Sequence, residues 1–456
     1  MHAVLLTDFG STYTKLTAVD TDTAAILGTA QAYTTVRSDV RTGFNAALAA
    51  LTAQTGAICF DESYACSSAA GGLRMMVSGL VPELTMEAAR IASLGAGAKV
   101  IRQFSFDLTE EDLAQIAAEK PDIFLLVGGT DGGNTACITH NAEMLARLHP
   151  DFPIILAGNR SAAHRCQELL ADCEVHVCEN VMPKFGVLKT ESTQNAIREI
   201  FLRRIVEAKG LTLAAQTLDG PMMPTPAAVL RAMTLLANGT DQTGGIGELL
   251  GVDVGGATTD VYSIAEGMPK QMNRVYKGLP EPYAKRTVEG DIGMRYSIEG
   301  VLEAAGERRL AELAGLSPAR VRELVALLAQ QTQLVPDDAE MRALDYAVAS
   351  MAVETAVRRH AGTIEETYTM LGQTFVQSGK DLSDVKQIVV TGGSLIHAAR
   401  AQQIAQFACF DARFPESLRP RQARIILDRR YILAAMGLLS QNYPETALQI
   451  MKEEIN

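Results

Sequence analysis

Apolar residues in this chain fall into short runs that end in glycine, a hydroxyl or a carboxylate. Val4-Leu5-Leu6 runs into Thr7-Asp8-Phe9-Gly10-Ser11-Thr12. Leu249-Leu250-Gly251-Val252 runs into Asp253-Val254-Gly255-Gly256-Ala257-Thr258-Thr259-Asp260. Ile388-Val389-Val390 runs into Thr391-Gly392-Gly393-Ser394. Continuous apolar runs bounded by such turns read as buried strands. Val4–Thr7, Lys15–Asp20 and Ala25–Ala30 read as a strand meander, followed by a helix over 43–55. Between Lys99 and Cys178 the rhythm becomes strand, helix, strand, helix. Strands are expected over 99–104, 123–127, 154–157 and 175–178, with helices over 109–119, 135–148 and 161–170. Thr109 followed by Asp112 is a helix-start pair. That alternation predicts a parallel sheet with helices on its faces. Helices are expected again over 191–210 and 227–236. Residues 298–378 are expected to be largely helical, with Leu344, Val348, Met351, Ala352 and Thr355 on one face.

A chain of 456 residues is long enough for two or three domains and a sizeable core. Its net charge is −12 and it has no basic run, which argues against nucleic acid or an anionic membrane as partner. A local site for ATP remains compatible with that balance. No apolar stretch reaches eighteen residues and the start lacks a signal peptide, so neither a membrane span nor export is expected. Seven cysteines, an odd number with no C-x-x-C pair, point to reduced thiols in a cytoplasm.

The chemistry lies in the three turns. A strand tip carrying two carboxylates and backbone amides suits a polyphosphate with a hard metal ion. The Asp253–Asp260 turn has that character, and the Asp8 turn repeats its logic with one carboxylate, a glycine and hydroxyls; the third, Gly392-Gly393-Ser394, is neutral and suits a nucleoside. Other features have two readings each. Gly128-Gly129-Thr130-Asp131-Gly132-Gly133-Asn134 is either a ligand or partner site at a strand end or a tight strand-to-helix turn. Ser67–Gly72 either lines a cleft or connects. Glu289-Gly290-Asp291 is either a turn at the start of a helix that adds carboxylates or an arginine to the cleft, or a glycine loop capped by Asp291. His140 reads as surface or packing.

In order and spacing, the three turns resemble the phosphate-1, phosphate-2 and adenosine segments of the actin, Hsp70 and sugar-kinase superfamily. Tyr431–Gly437 resembles the small-residue helix that follows them; Ala257 stands where a third glycine is frequent. The resemblance implies an α/β, two-lobed actin-like ATPase with ribonuclease H-like halves and an inserted, small doubly wound domain. It divides the chain into 1–92 (first part of the N-terminal lobe), 93–190 (insert), 191–245 (connecting helices) and 246–456 (C-terminal lobe). It implies that Asp8 and Asp253 hold Mg²⁺ across a cleft, with Asp260 joining that shell or orienting the attacking water. Gly10, Ser11 and Thr12 would meet the phosphates from one side, and Gly255, Gly256, Ala257 and Thr258 from the other. Lys15 would neutralise phosphate charge or point to solvent. Gly392, Gly393 and Ser394 would carry the adenosine.

Whole phrases resemble one family more closely: Asp8–Lys15, Cys66–Leu73, Gly129–Asn134 and Arg286–Arg295. They are similar to the reactivating accessory protein of glutamate mutase, the GlmL/MutL family, unrelated to the mismatch-repair protein also called MutL. The resemblance implies an ATP-driven, chaperone-like factor for an adenosylcobalamin enzyme, with ATP/ADP and the mutase as partners. The cobalamin belongs to the client, since no Asp-x-His-x-x-Gly ligand motif occurs in this chain. Other readings of the same superfamily are a small-molecule kinase, an activator of a radical dehydratase needing cluster cysteines, and an actin-like filament protein.

Overall fold

The computed structural model describes residues 1–10, 13–34, 40–68, 73–96, 98–208, 218–220, 222–369 and 372–455. Strands β1 (Ala3–Phe9), β2 (Tyr13–Asp20) and β3 (Ala25–Tyr33) form an antiparallel meander. The helix Val40–Thr55 then crosses over and β4 (Glu62–Ser67) returns parallel to β1. Every residue of β1 is buried, as expected for a central strand covered on both faces. The chain then leaves this sheet. It builds a separate, all-parallel one from β5 (Leu73–Gly79), β6 (Ala98–Ser105), β7 (Ile123–Leu126), β8 (Ile154–Leu156) and β9 (Val175–Val177), in the order β6-β5-β7-β8-β9. That is a doubly wound order with its switch point beside β5. The helix Glu191–Ala208 precedes the return to the first sheet, where β10 (Met223–Pro224) pairs with β4.

The second half repeats the first. β11 (Leu249–Val254), β12 (Thr259–Ile264) and β14 (Ala284–Glu289) form an antiparallel meander, and β17 (Gln387–Thr391) and β18 (Arg424–Leu427) add in parallel. The two sheet orders, β3-β2-β1-β4-β10 and β14-β12-β11-β17-β18, are the same topology. Each is followed by a helix, Thr225–Asn238 after β10 and Leu433–Leu439 after β18. These two helices share one apolar core with both sheets, including Val4, Leu6, Met233, Leu236, Leu249, Tyr262, Ile432 and Met436. At their crossing Gly437 lies on the backbone of Ala228, so any side chain there would collide with the Ala228 carbonyl. Gly437→Ala is therefore expected to cost about 1–3 kcal/mol by overpacking, measurable as a lower thermal midpoint.

Several sequence expectations change. The third sheet includes β5, so the expected boundary at residue 93 cuts through it. Residues 298–378 are not helical to the end: the helix Ala339–His360 gives way to β15 (Thr363–Thr369) and β16 (Gly372–Ser378), which pair with each other, and β16 also pairs with β13 (Arg274–Lys277). Thr-, Tyr- and Gln-rich alternation marks these strands, a period-2 signal the larger helical pattern had masked. No helix starts at Asp291; the next one begins at Ile298. The capping box at Thr109 and Asp112 is present. Among the described residues no helix is long and apolar enough to cross a membrane.

Candidate functional site

Residues at equivalent places in the two halves meet in the cleft between them. Asp8 near the end of β1 pairs in register with Lys15 on β2 and Cys66 on β4. Asp253 near the end of β11 pairs with Asp260 on β12 and Thr391 on β17. Asp8 Oδ1 accepts from Thr225 Oγ1 at 2.7 Å and from Cys66 Sγ at 3.4 Å, which leaves Oδ2 for a ligand. Burial pushes the Cys66 thiol up, and the Asp8 charge adds to that, so the sulfur is a neutral donor.

Among the described residues Asp253 has no comparable donor. Surrounding protein removes it from water, and Asp260, Asp428 and Asp8 repel its charge, so its carboxyl is pushed up to about 7 although Lys15 pulls the other way. Lys15 lies inside the cleft, not towards solvent. Burial lowers its ammonium from the ordinary value, opposed by Asp8, Asp253 and Asp428. Its Nζ stands 2.9 Å from the centre of the Tyr431 ring. Tyr431 holds this place with a left-handed backbone, φ +54°, a conformation that costs a bulky residue of order 1–3 kcal/mol. Asp428 completes the group. It is 1% exposed, accepts from Thr391 Oγ1 at 3.1 Å and caps the following helix through the Ile432 and Leu433 amides.

Both acidic turns close the same way. The Gly10 amide donates to Tyr13 O at 3.1 Å, and the Gly255 amide donates to Thr258 O at 2.9 Å. Both glycines thus shape their turns and spend their own amides on the turn bond. Among the described residues the amides of Gly256, Ala257 and Thr258 have no protein acceptor. Met294 donates to Gly255 O, and Arg295 and Tyr296 donate to Gly256 O, which braces this turn from the next loop. Ser11 and Thr12 lie outside the described residues, as do residues 69–72 of the Ser67–Gly72 turn.

Gly392 packs against the acid itself. With φ at +97°, a Cβ there would lie 2.6 Å from Asp253 Oδ1 and 2.6 Å from Val254 O. Gly393 beside it faces open space, and Ser394 is half-buried. Asp260 is tied up differently from Asp253: Arg286 Nε reaches its Oδ1 at 2.7 Å and Nη2 at 2.5 Å. The sequence expectation of an arginine near the cleft is met by Arg286.

Among the described residues no three His, Cys, Asp or Glu side chains converge as direct metal ligands, so a divalent cation in this cleft would be held by at most two carboxylates and mostly through water. Three carboxylates (Asp8, Asp253 and Asp428) face one ammonium, and burial with the neighbouring acids raises the Asp253 carboxyl to about 7. Four contributors escaped the sequence reading: Cys66, Thr225, Asp428 and Tyr431. Asp428 had the same signal as Asp8 and Asp253, since Ile425-Ile426-Leu427 is an apolar run ending in a carboxylate.

The Gly128–Asn134 loop is a turn braced by two buried amides. Asn159 Nδ2 donates to Gly133 O and Asn134 O, and Asn180 Nδ2 donates to Gly129 O and Asp131 Oδ1. The ring of His140 bonds Leu108 O, a packing role.

Two sheets of one topology, joined by crossing helices over an acidic cleft, define the actin-like two-lobed α/β class with an inserted doubly wound unit. Within that class the chain belongs to the MutL family, whose match spans residues 4–455. This is the glutamate mutase-associated family, not the mismatch-repair one. It is similar to Protein MutL of Clostridium tetanomorphum, with 46% identity over 99% of both chains. Among solved structures it is similar to (R)-2-hydroxyglutaryl-CoA dehydratase component A of Acidaminococcus fermentans, at 9% identity and TM-score 0.33 over 98% of this chain and 100% of that one. It is also similar to the activator of 2-hydroxyisocaproyl-CoA dehydratase from Clostridium difficile with bound ADPNP, at 10% identity and TM-score 0.34 over 100% and 98%.

Proposed function

We propose that this protein is an ATP-driven reactivating factor for an adenosylcobalamin-dependent mutase, glutamate mutase or a related aminomutase. The observation that carries the nucleotide half of the reading is the carboxylate cluster around Lys15, with Asp253 unsatisfied in it. Family membership supplies the client half. Asp8 and Asp253 would hold Mg²⁺, which when bound supplies charge neutralisation to the terminal phosphates. Ala257, Thr258 and Gly256 present amides to phosphate oxygens, and Lys15 adds positive charge from the other lobe. The Gly392–Ser394 turn takes the adenosine. Among the described residues no base with a place for a small-molecule acceptor is identified, which favours water as the acceptor. Hydrolysis then acts as a switch, and lobe closure and opening move the inserted unit against the client. The reaction takes place in the cytoplasm.

The test is direct. A mutase inactivated by damaged cobalamin is mixed with this protein, Mg²⁺, ATP and fresh adenosylcobalamin. Activity is expected to recover with ATP and not without it. Recovery without nucleotide removes the switch from the account, and no recovery under any condition removes the client. Deleting residues 73–190, from the first strand of the inserted sheet onward, is expected to abolish recovery; full recovery by that variant excludes docking through the insert.

A further inference from the structure

One continuous segment, residues 286–296, touches both the phosphate-side turn and the inserted unit. At its far end, Met294, Arg295 and Tyr296 donate their amides to Gly255 O and Gly256 O, at 3.0, 2.9 and 2.9 Å. At its near end Arg286 is 5% exposed and divides its guanidinium between two owners. Nε and Nη2 hold Asp260, the register partner of Asp253, while Nη1 donates at 3.2 Å to Leu94 O. Leu94 is in the last turn of the helix Glu87–Gly95, which leads into β6 of the inserted sheet. The final carbonyls of a helix have no partner within it and carry its negative dipole end, so a guanidinium there is a fitting cap. Between these ends Gly290 lies beneath Lys99 of β6, and any side chain at Gly290 would strike the Lys99 ammonium. Arg359 pins the same loop to the C-terminal lobe through Glu289 at 2.8 Å and Asp291 at 2.9 Å.

The contact around Arg286 is loosely filled. A cavity of about 50 Å³ lies against Arg90, Gln194, Glu281, Lys285 and Arg286, and one Glu281 oxygen in this region is buried without a hydrogen-bond partner. Ile91, Leu94, Pro282 and Ala284 line the same cavity, so the seam is part ionic and part apolar, and such a mixed contact separates more readily than a wholly apolar one.

We infer that Arg286 is a positioning residue that couples occupancy of the acidic cleft to the placement of the inserted unit. The inference rests on the nucleotide reading above. Were a cation held by Asp8 and Asp253, the neighbouring Asp260 carboxylate would divide its charge between it and Arg286, and its hold on Arg286 would weaken. The guanidinium would then shift, and the last turn of the helix Glu87–Gly95 would lose its cap. Phosphate contact at the Gly256–Thr258 turn pulls on the same segment through the Met294–Tyr296 amides.

Amide hydrogen exchange over residues 87–105 tests this, with Mg²⁺ and a non-hydrolysable ATP analogue at concentrations that calorimetry finds saturating for each protein. Exchange in the wild type is expected to quicken by about threefold or more on ligation. Arg286→Lys keeps one ionic contact with Asp260 but cannot fork to Leu94 O, and Lys99→Ala removes the second contact from the surface. Both are expected to bind the nucleotide yet lose that response, a separation a purely structural role would not produce. Lys99→Ala keeps the test available should Arg286→Lys fold poorly. Saturation with no change in wild-type exchange, or an undiminished change in the two variants, overturns the coupling and leaves the nucleotide reading standing. No binding by the wild type overturns both.

Discussion

Asp253→Asn will lose nucleotide hydrolysis and will be the more stable protein at high pH. In the wild type this carboxyl is raised to about 7, because burial and the charges of Asp260, Asp428 and Asp8 disfavour ionisation. In the unfolded chain it titrates as an ordinary Asp, near 4. Between those values the folded state binds the extra proton, so this group contributes stability at low pH. That contribution is lost as pH rises from about 4 to about 7. The asparagine variant has no such charge to bury, so its thermal midpoint should exceed that of the wild type by more at pH 8 than at pH 5. Its hydrolysis rate should fall at least about 100-fold, as for other losses of a single electrostatic stabiliser in a closed site. The same carboxyl predicts a proton signature. Mg²⁺-nucleotide that requires the ionised acid should release a proton when it binds at pH 6, and release little at pH 8.5. Calorimetry in buffers of different ionisation enthalpy reads this difference. Equal proton release by Asp253→Asn at pH 6 would assign the proton to another group.

The acids of this site were legible because they follow apolar strands. Asp8 and Asp253 end apolar runs that read as buried strands, the resemblance set them across one cleft, and in the fold they are close enough to repel one another. Lys15 was named, but its direction was open. Strand alternation gives a face and does not say what the facing lobe contributes, and here that is Asp253, Asp428 and the Tyr431 ring. Tyr431 was invisible as a site residue because its left-handed backbone leaves no mark in composition. The glycines were read as amide donors; the fold uses Gly10 and Gly255 for the turn bond itself. Arg286 could be placed near the cleft by its phrase, whereas its second contact on Leu94 depends on an insert docked 192 residues away in sequence. The hairpin of β15 and β16 was lost in a long helical reading for a simpler reason. Its apolar content is low and its exposed positions look like those of a solvated helix face.

Neighbouring glycines in the third turn should separate two effects that a single variant would merge. Gly392→Val is expected to damage both fold and site. The backbone there stands at φ +97°, which costs a β-branched residue about 1–3 kcal/mol, and steric crowding adds about 1–3 kcal/mol more. The crowding has a definite target, since the new Cβ would start 2.6 Å from Asp253 Oδ1 and 2.8 Å from the Val254 amide. Relief requires the acid to move, so metal-dependent nucleotide binding should be lost even where the variant still folds. Gly393→Val probes the same turn without that collision, because nothing lies within 4 Å of a Cβ at this position and the backbone is not left-handed. Its stability should stay within about 0.5–1 kcal/mol of the wild type. If the adenosine rests on this turn, Gly393→Val will weaken ATP while sparing inorganic triphosphate with Mg²⁺, whereas Gly392→Val will weaken both. Unchanged ATP affinity in a folded Gly393→Val protein would place the adenosine elsewhere and leave the carboxylate cluster as a triphosphate site alone.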